Sequence, residues 1–198
     1  MARVLERTGA VAALAILATL TVACEPTRSS RARSAEDRPS AYLCCTLRFN
    51  GSHEASDANY DYPDKVVIPA GTPVHDVWLT SAKAEFVPEG GTTTYSLQFR
   101  YGRAAMSPGA FYGMIFLSDD PLARLRADAA VREAIRDGRL LPGMTKGEAL
   151  MARGYPPAHR TPSINGDEWL YYSQRSLCER VRFVDGRIAS IEQTEPPH

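Results

Sequence analysis

The sequence lacks a surplus of charge of either sign. It holds 23 Lys and Arg residues against 23 Asp and Glu residues, for a formal net charge of +0. Nonspecific binding to nucleic acid depends on a surplus of Lys and Arg that displaces counterions from phosphates. The composition therefore argues against a nucleic-acid partner. With 198 residues, 44% of them hydrophobic, the chain is long enough to bury a core of ordinary size.

The sequence also lacks the motifs of common catalytic and metal sites. Its four histidines form no H-x-x-x-H or H-E-x-x-H pair that would place two imidazoles on one helix face for zinc. It has no phosphate-binding glycine loop and no G-x-S-x-G nucleophile motif. We therefore expect no enzyme activity, metal, cofactor or small-molecule substrate. One alternative stays open, a hydrolase that uses Cys44 or Cys45 with a distant histidine, because such partners need only meet in space.

The first 23 residues have the three-part layout of a secretory signal peptide. Arg3 and Arg7 precede an uncharged apolar run at 8–23, which ends in small residues before Cys24. As a helix those 16 residues would span roughly 24 Å, less than the roughly 30 Å hydrocarbon core of a bilayer. We therefore favour a cleaved signal over a permanent transmembrane helix.

Residues 20–24, LTVAC, resemble a bacterial lipobox, in which the cysteine after the cleavage site receives the lipid. The resemblance implies that Cys24 becomes the acylated N-terminus and anchors the protein to a membrane. Glu25 follows, and by similarity to the enterobacterial sorting rule this residue favours the outer membrane, facing the periplasm. Residues 24–40 are rich in Pro, Ser, Arg and acids, which predicts a flexible tether.

Residues 41–117 are predicted to form a β-rich domain. Short runs of β-forming residues are separated by Gly and Pro turns, and residues 92–101 alternate between apolar and polar side chains. We read no helix between these strands. The pattern predicts a small antiparallel sandwich or SH3-like barrel.

Residues 118–198 change to helical spacing and then return to strands. Asp120 and Pro121 are predicted to start a helix that ends at Gly138, and Thr145 with Glu148 has the capping-box spacing of a second helix. Three strands follow, the last two joined by a two-residue turn at 185–186. The whole chain is therefore predicted to be α+β.

The C-terminal third resembles the SmpA/OmlA (BamE-like) lipoprotein domain. Five short motifs carry the resemblance, in order between residues 132 and 193: PGMT at 142–145, GYP at 154–156, WLYY at 169–172, VRF at 181–183 and DGRI at 185–188. The resemblance implies two helices against a three-stranded antiparallel sheet. It also implies an outer-membrane lipoprotein, the best-known member being an accessory subunit of the machinery that folds outer-membrane β-barrels. Secreted β-lactamase inhibitor proteins use a similar domain in tandem.

These features predict a non-enzymatic envelope lipoprotein that binds another envelope protein and supports outer-membrane protein assembly or envelope integrity. The alternative is a protein inhibitor similar to the β-lactamase inhibitor domains. Within the predicted sheet, Trp169 and Tyr171 are expected in the core. Tyr172, Arg180 and Arg182 are expected on the opposite face as a partner-binding surface.

The three cysteines that follow Cys24 leave two pairings open. Neighbouring Cα atoms lie about 3.8 Å apart, below the usual range of roughly 4.4 to 6.8 Å, so a bridge between Cys44 and Cys45 is expected to be strained. A bond from Cys178 to either of them would tie the β-rich domain to the C-terminal domain in an oxidising periplasm. Either pairing leaves one free thiol.

The lipobox assignment predicts that Cys24→Ala abolishes incorporation of a palmitate analogue, because the acylated side chain is lost. Metabolic labelling of cells expressing the two chains measures this, and a wild-type chain processed in parallel is the positive control. Undiminished labelling of the variant would place the lipid elsewhere.

Overall fold

A computed structural model describes residues 40–174 and 176–195. The predicted signal peptide, Cys24 and the tether up to residue 39 lie outside the described residues. Three α-helices and eleven β-strands are present in the described ranges, so the fold is α+β, as predicted. None of the helices within these ranges is long and apolar enough to cross a bilayer.

Eight short strands form the β-rich part of the chain. They are β1 (Ala41–Leu43), β2 (Leu47–Phe49), β3 (Glu54–Ser56), β4 (Val66–Ile68), β5 (Pro73–Leu79), β6 (Lys83–Pro88), β7 (Tyr95–Gln98) and β8 (Phe116–Leu117). Six of them make one sheet in the order β3-β7-β6-β5-β1-β8, while β2 and β4 pair separately. The β3–β7 pair is parallel, whereas the other pairs are antiparallel. The sheet is therefore mixed, where a purely antiparallel one was predicted.

The two sheets of the β-rich part share one hydrophobic core. Phe49 on β2 packs edge-on against Phe86 on β6 and Tyr95 on β7, with ring centroids 5.9 and 4.9 Å apart. Leu43, Phe49 and Phe86 are completely buried. Short strands can form here because each one contributes side chains to the same apolar cluster.

A helix within the β-rich part contradicts the expectation that no helix separates these strands. Helix α1 covers Pro108–Ile115, and the Ser107 side chain accepts a hydrogen bond from the Ala110 amide. Pro108 stands at the first helical position, where its missing N–H costs nothing. The segment Ser107-Pro108-Gly109 had the composition of a turn, but Phe111, Tyr112 and Ile115 are buried on one helix face.

The C-terminal part contains two helices and a three-stranded antiparallel sheet. These are α2 (Ala129–Asp137), α3 (Lys146–Arg153), β9 (Glu168–Gln174), β10 (Leu177–Val184) and β11 (Arg187–Thr194), with the sheet order β11-β10-β9. Helix α2 begins later than predicted because Asp128 caps it by accepting from the Val131 amide, whereas Asp120 binds the Leu122 amide in a preceding turn. It ends at Gly138, in the left-handed region with φ 73°.

Two local predictions in the C-terminal part are confirmed. The Thr145 hydroxyl accepts from the Glu148 amide while the Glu148 carboxylate accepts from the Thr145 amide, which is the capping box. Asp185 and Gly186 both have positive φ, 50° and 74°, as a type I′ hairpin turn requires.

A buried polar seam joins the β-rich part to the C-terminal helices. It consists of Thr46, Arg48, Asn59 and Arg153, each at most 5% exposed. The Asn59 side chain accepts from the Arg48 amide at 2.8 Å and donates to the Thr46 and Arg153 carbonyls at 3.0 and 2.8 Å. The Thr46 hydroxyl donates to the carbonyl of Ile135 in α2. The bonds from Asn59 to Arg153 and from Thr46 to Ile135 cross the predicted boundary at 117/118. All the described residues fall in one compact unit.

We expect Asn59→Ala to lower the free energy of unfolding by about 3 kcal/mol, because three buried backbone groups would lose their partner. Asn59 also adopts φ 47°, which asparagine tolerates better than alanine does. Urea denaturation measures the change. Asn165→Ala, at an exposed position, is the matched control and should cost less than about 0.5 kcal/mol. Equal effects of the two variants would contradict the role of the seam.

Candidate binding surfaces

The C-terminal sheet has the two faces that the sequence pattern predicts. Trp169 and Tyr171 on β9 are 0% and 2% exposed and belong to the core beneath α2 and α3. On the opposite face, Tyr172 pairs with Cys178 across the strands, and Arg180 and Arg182 follow along β10. The structure therefore places Tyr172, Arg180 and Arg182 on one face, as expected.

Tyr172 nevertheless lies below the surface, which removes it from the predicted partner-binding surface. Only 7% of the residue is exposed, because Tyr60 and His159 cover its ring with centroids 5.3 and 5.9 Å away. The sequence pattern identifies the face of a strand but not which other segments pack on it. The segment after β3 and the loop at 155–164 close this end of the sheet face.

Arg180 and Arg182 lie on the open end of the same face, where acidic neighbours balance their charge. Glu168 lies 3.4 Å from the Nε atom of Arg180 and 3.3 Å from the Nε atom of Arg182. Glu192 lies 3.6 Å from the Nη1 atom of Arg182. This surface is thus an exposed ion-pair network without a surplus of positive charge, and such pairs contribute little binding energy by themselves.

An aromatic cluster closes the covered end of the sheet face. The His159 ring stacks between Tyr101 and Tyr172, with centroids 5.4 and 5.9 Å away and interplanar angles of 26° and 25°. Partial burial and the nearby Arg160 lower the pKa of His159, which favours the neutral imidazole at neutral pH. The Tyr172 hydroxyl then accepts from Arg160 Nε at 3.0 Å and can donate to His159 Nε2 at 3.2 Å.

An apolar cleft of about 300 Å³ lies beside this cluster, between α1 and the loop at 155–164. The side chains at its wall are mainly apolar: Phe99, Ala105, Met106, Phe111, Met114, Tyr155, Pro156, Pro157, Ala158 and Ile164. Ile164 is 41% exposed at the cleft, and Tyr101, stacked on His159 nearby, is 39% exposed. Exposed apolar groups next to an apolar depression are typical of a binding surface.

The polar groups of the cleft are engaged in holding its wall together. The carboxylate of Asp57 accepts hydrogen bonds from the amides of Arg100, Tyr101 and Gly102, at distances of 2.7 to 3.2 Å. These bonds fix the short 3₁₀ helix Gly102–Ala104. The Thr161 hydroxyl accepts from the Leu170 amide at 2.9 Å. The arrangement suits apolar contact, since Asp57 and Thr161 both act as acceptors for backbone amides.

The cysteines adopt one of the two pairings that the sequence left open. Cys44 and Cys45 form a disulfide with a Cα–Cα distance of 3.8 Å, and Cys178 is a free, buried thiol within the described residues. Burial raises the pKa of the Cys178 thiol. Cys178 does not tie the two parts of the chain together; Asn59 and Thr46 do so by hydrogen bonds.

No cluster of three or more His, Cys, Asp or Glu side chains able to hold a metal ion occurs in residues 40–174 and 176–195. The apolar cleft was not predicted from the sequence, because α1 was missed. The sequence does contain a pattern that indicates α1. Ser107 followed by Pro108 is typical of a helix start, and Phe111 and Ile115 follow at helical spacing.

No protein-family model, curated protein or solved structure matches this chain.

In a full-length protein carrying Cys24→Ser, we expect slow reaction of the native chain with a thiol reagent near neutral pH. The reason is that Cys178 is buried and its raised pKa keeps it protonated. Unfolding without reductant should release one thiol, and reduction should then release the two of Cys44 and Cys45. A Cys178-containing disulfide peptide in the non-reduced digest would contradict this pairing.

Proposed function

We propose that this protein is a lipid-anchored lipoprotein of the bacterial outer membrane, facing the periplasm, that binds another envelope protein without catalysing a reaction. The lipobox-like LTVAC segment, the polar tether after it and the BamE-like motifs support the proposal. The family resemblance implies that the protein helps in outer-membrane protein assembly or in maintaining envelope integrity.

The apolar cleft beside α1 is the proposed place of contact, and its geometry is the observation that carries the binding proposal. Its volume of about 300 Å³ suits a few apolar side chains of a partner segment. Met106 and Met114 flank it, and methionine adapts its shape to a bound surface. By contrast, Arg180 and Arg182 are already paired with acidic side chains of their own sheet.

We also propose a BamE-like arrangement for the C-terminal part of the chain and a sandwich for the β-rich part. Helices α2 and α3 precede a β9–β10–β11 meander, and their apolar side chains share one core with Trp169, Val181 and Phe183. This order and packing support a BamE-like arrangement for the C-terminal part. For the β-rich part, the shared core of the six-stranded and two-stranded sheets supports a sandwich more than an SH3-like barrel.

The rival proposal is a protein inhibitor of an enzyme, as in the similar β-lactamase inhibitor domains. Such an inhibitor would bind through the open sheet face, where Arg180, Arg182 and Glu168 are accessible. The two proposals therefore differ in the surface used and in the partner recovered.

Site-specific photo-crosslinking in cells tests the binding proposal. A photoreactive benzoylphenylalanine at Ile164 samples the cleft, and the same group at Arg182 samples the sheet face. We expect one envelope protein, identified by mass spectrometry, to be captured from Ile164. The capture should fall at least about tenfold when Ala105→Trp fills the cleft, because a bulky side chain then occupies the binding volume.

Ala110→Trp is the matched control for the cleft-filling variant. Ala110 is exposed on α1 and is not part of the cleft wall, so the substitution should leave the capture unchanged. Capture of a soluble enzyme from Arg182 alone would favour the inhibitor. Equal loss with both tryptophan variants would contradict the cleft as the contact.

A further inference from the structure

A second pocket lies on another part of the molecule and contains two buried arginines. It has a volume of about 240 Å³ and lies where β2, the end of α2, the end of α3 and β10 meet. Arg48 on β2 and Arg153 at the end of α3 line it, with only 2% and 4% of each residue exposed. The cleft beside α1 shares no residue with this pocket.

Each guanidinium has more N–H groups than the protein satisfies. Arg48 donates through Nη2 to the Gly138 carbonyl, and its Nε lies 3.5 Å from an Asp61 oxygen. Arg153 donates through Nη2 to the Tyr172 carbonyl at 2.9 Å and lies 3.2 Å from a Glu179 oxygen. Arg48 Nη1, Arg48 Nε and Arg153 Nε are buried without a hydrogen-bond partner among the described residues. Buried donors of this kind are costly unless a ligand or water binds them.

The charge balance of the pocket favours an anion. Four cationic side chains, Arg48, Lys65, Arg139 and Arg153, line it together with three carboxylates, Asp61, Asp137 and Glu179. Each carboxylate already pairs with a cation of the pocket, at 2.6 Å for Lys65–Asp61, 3.1 Å for Arg139–Asp137 and 3.2 Å for Arg153–Glu179.

The two buried guanidiniums repel each other across this space. Burial, followed by the charge of Arg153, lowers the pKa of Arg48 to about 9, although Asp61 and Glu179 act in the opposite direction. A bound anion would offset both effects, because its charge is opposite to that of the two arginines and its oxygen atoms replace water that burial removed. The cationic form of Arg48 still dominates near neutral pH.

We propose that this pocket binds one small tetrahedral oxyanion of the phosphate or sulfate type. The planar guanidinium groups supply N–H donors to adjacent oxygen atoms, the geometry in which arginine recognises oxyanions. Lys65 and Arg139, 36% and 54% exposed at their side chains, stand at the mouth and draw the anion in. The anion would then bridge Arg48 of the β-rich part and Arg153 of α3.

Isothermal titration calorimetry of the full-length protein with sodium phosphate tests the site. A titration with sodium chloride of matched ionic strength is the control for nonspecific effects of salt. We expect saturable binding of one phosphate per chain. Arg48→Lys keeps the charge but loses the planar fork, and it should weaken binding by about tenfold. Amide signals of Gly138 and Arg139, which line the pocket, should shift in NMR spectra on adding phosphate.

Variants at the pocket mouth keep the test decisive if a buried substitution prevents folding. The double variant Lys65→Gln with Arg139→Gln should weaken binding by roughly fivefold, as expected for partly exposed charges. Arg126→Gln, at an exposed arginine outside the pocket, is the control and should leave binding unchanged. Absence of saturable phosphate binding to the wild type, or equal weakening by Arg126→Gln, would overturn the proposal.

The anion site and the protein-binding cleft are separable in these experiments. Ala105→Trp should lower crosslinking at the cleft at least about tenfold without changing phosphate affinity. The double variant at Lys65 and Arg139 should weaken phosphate binding without changing crosslinking at the cleft, since the two sites share no lining residue.

Discussion

The structure depends on the hydrogen bonds that the buried Asn59 side chain makes between the β-rich part and helix α3. Asn59 is 5% exposed, and its single side chain satisfies the Arg48 amide and the Thr46 and Arg153 carbonyls. An unsatisfied buried amide or carbonyl costs about 1 to 3 kcal/mol, so these segments keep one relative position. The β-rich part and helix α3 are thereby held together by hydrogen bonds rather than by a disulfide.

Both proposed binding sites combine residues of the two parts that the buried polar seam holds together. The cleft beside α1 is lined by α1, by Asp57 and by the loop at 155–164, which follows α3. The arginine pocket exists because β2 and α3 each bring one arginine to the same buried place. Gly138 permits the approach of Arg48, since a Cβ atom there would stand 2.6 Å from Arg48 Nη2.

Sequence reasoning predicted local features well where one segment contains the whole signal. The capping box of Thr145 and Glu148 and the turn at Asp185 and Gly186 are examples, because their hydrogen bonds or dihedral angles involve neighbouring residues only. Helix α1 was not predicted because Ser107, Pro108 and Gly109 also suit a turn. The helix forms because it buries Phe111 and Ile115 in a core that distant strands complete. Tyr172 was predicted on the correct face, but its cover comes from Tyr60 and His159.

The sequence by itself determined the α+β class, the strand faces of Trp169 and Tyr171, and the start of helix α3, because periodicity and caps are short-range properties. The proposed lipidation signal at residues 20–24 likewise rests on the sequence alone. Only the tertiary structure decided that Arg48 and Arg153 share a pocket, since these residues lie far apart in the chain and the Asn59 side chain bonds the backbone of both. A binding site assembled from several segments has no periodic signal, because its spacing is set by packing rather than by the backbone.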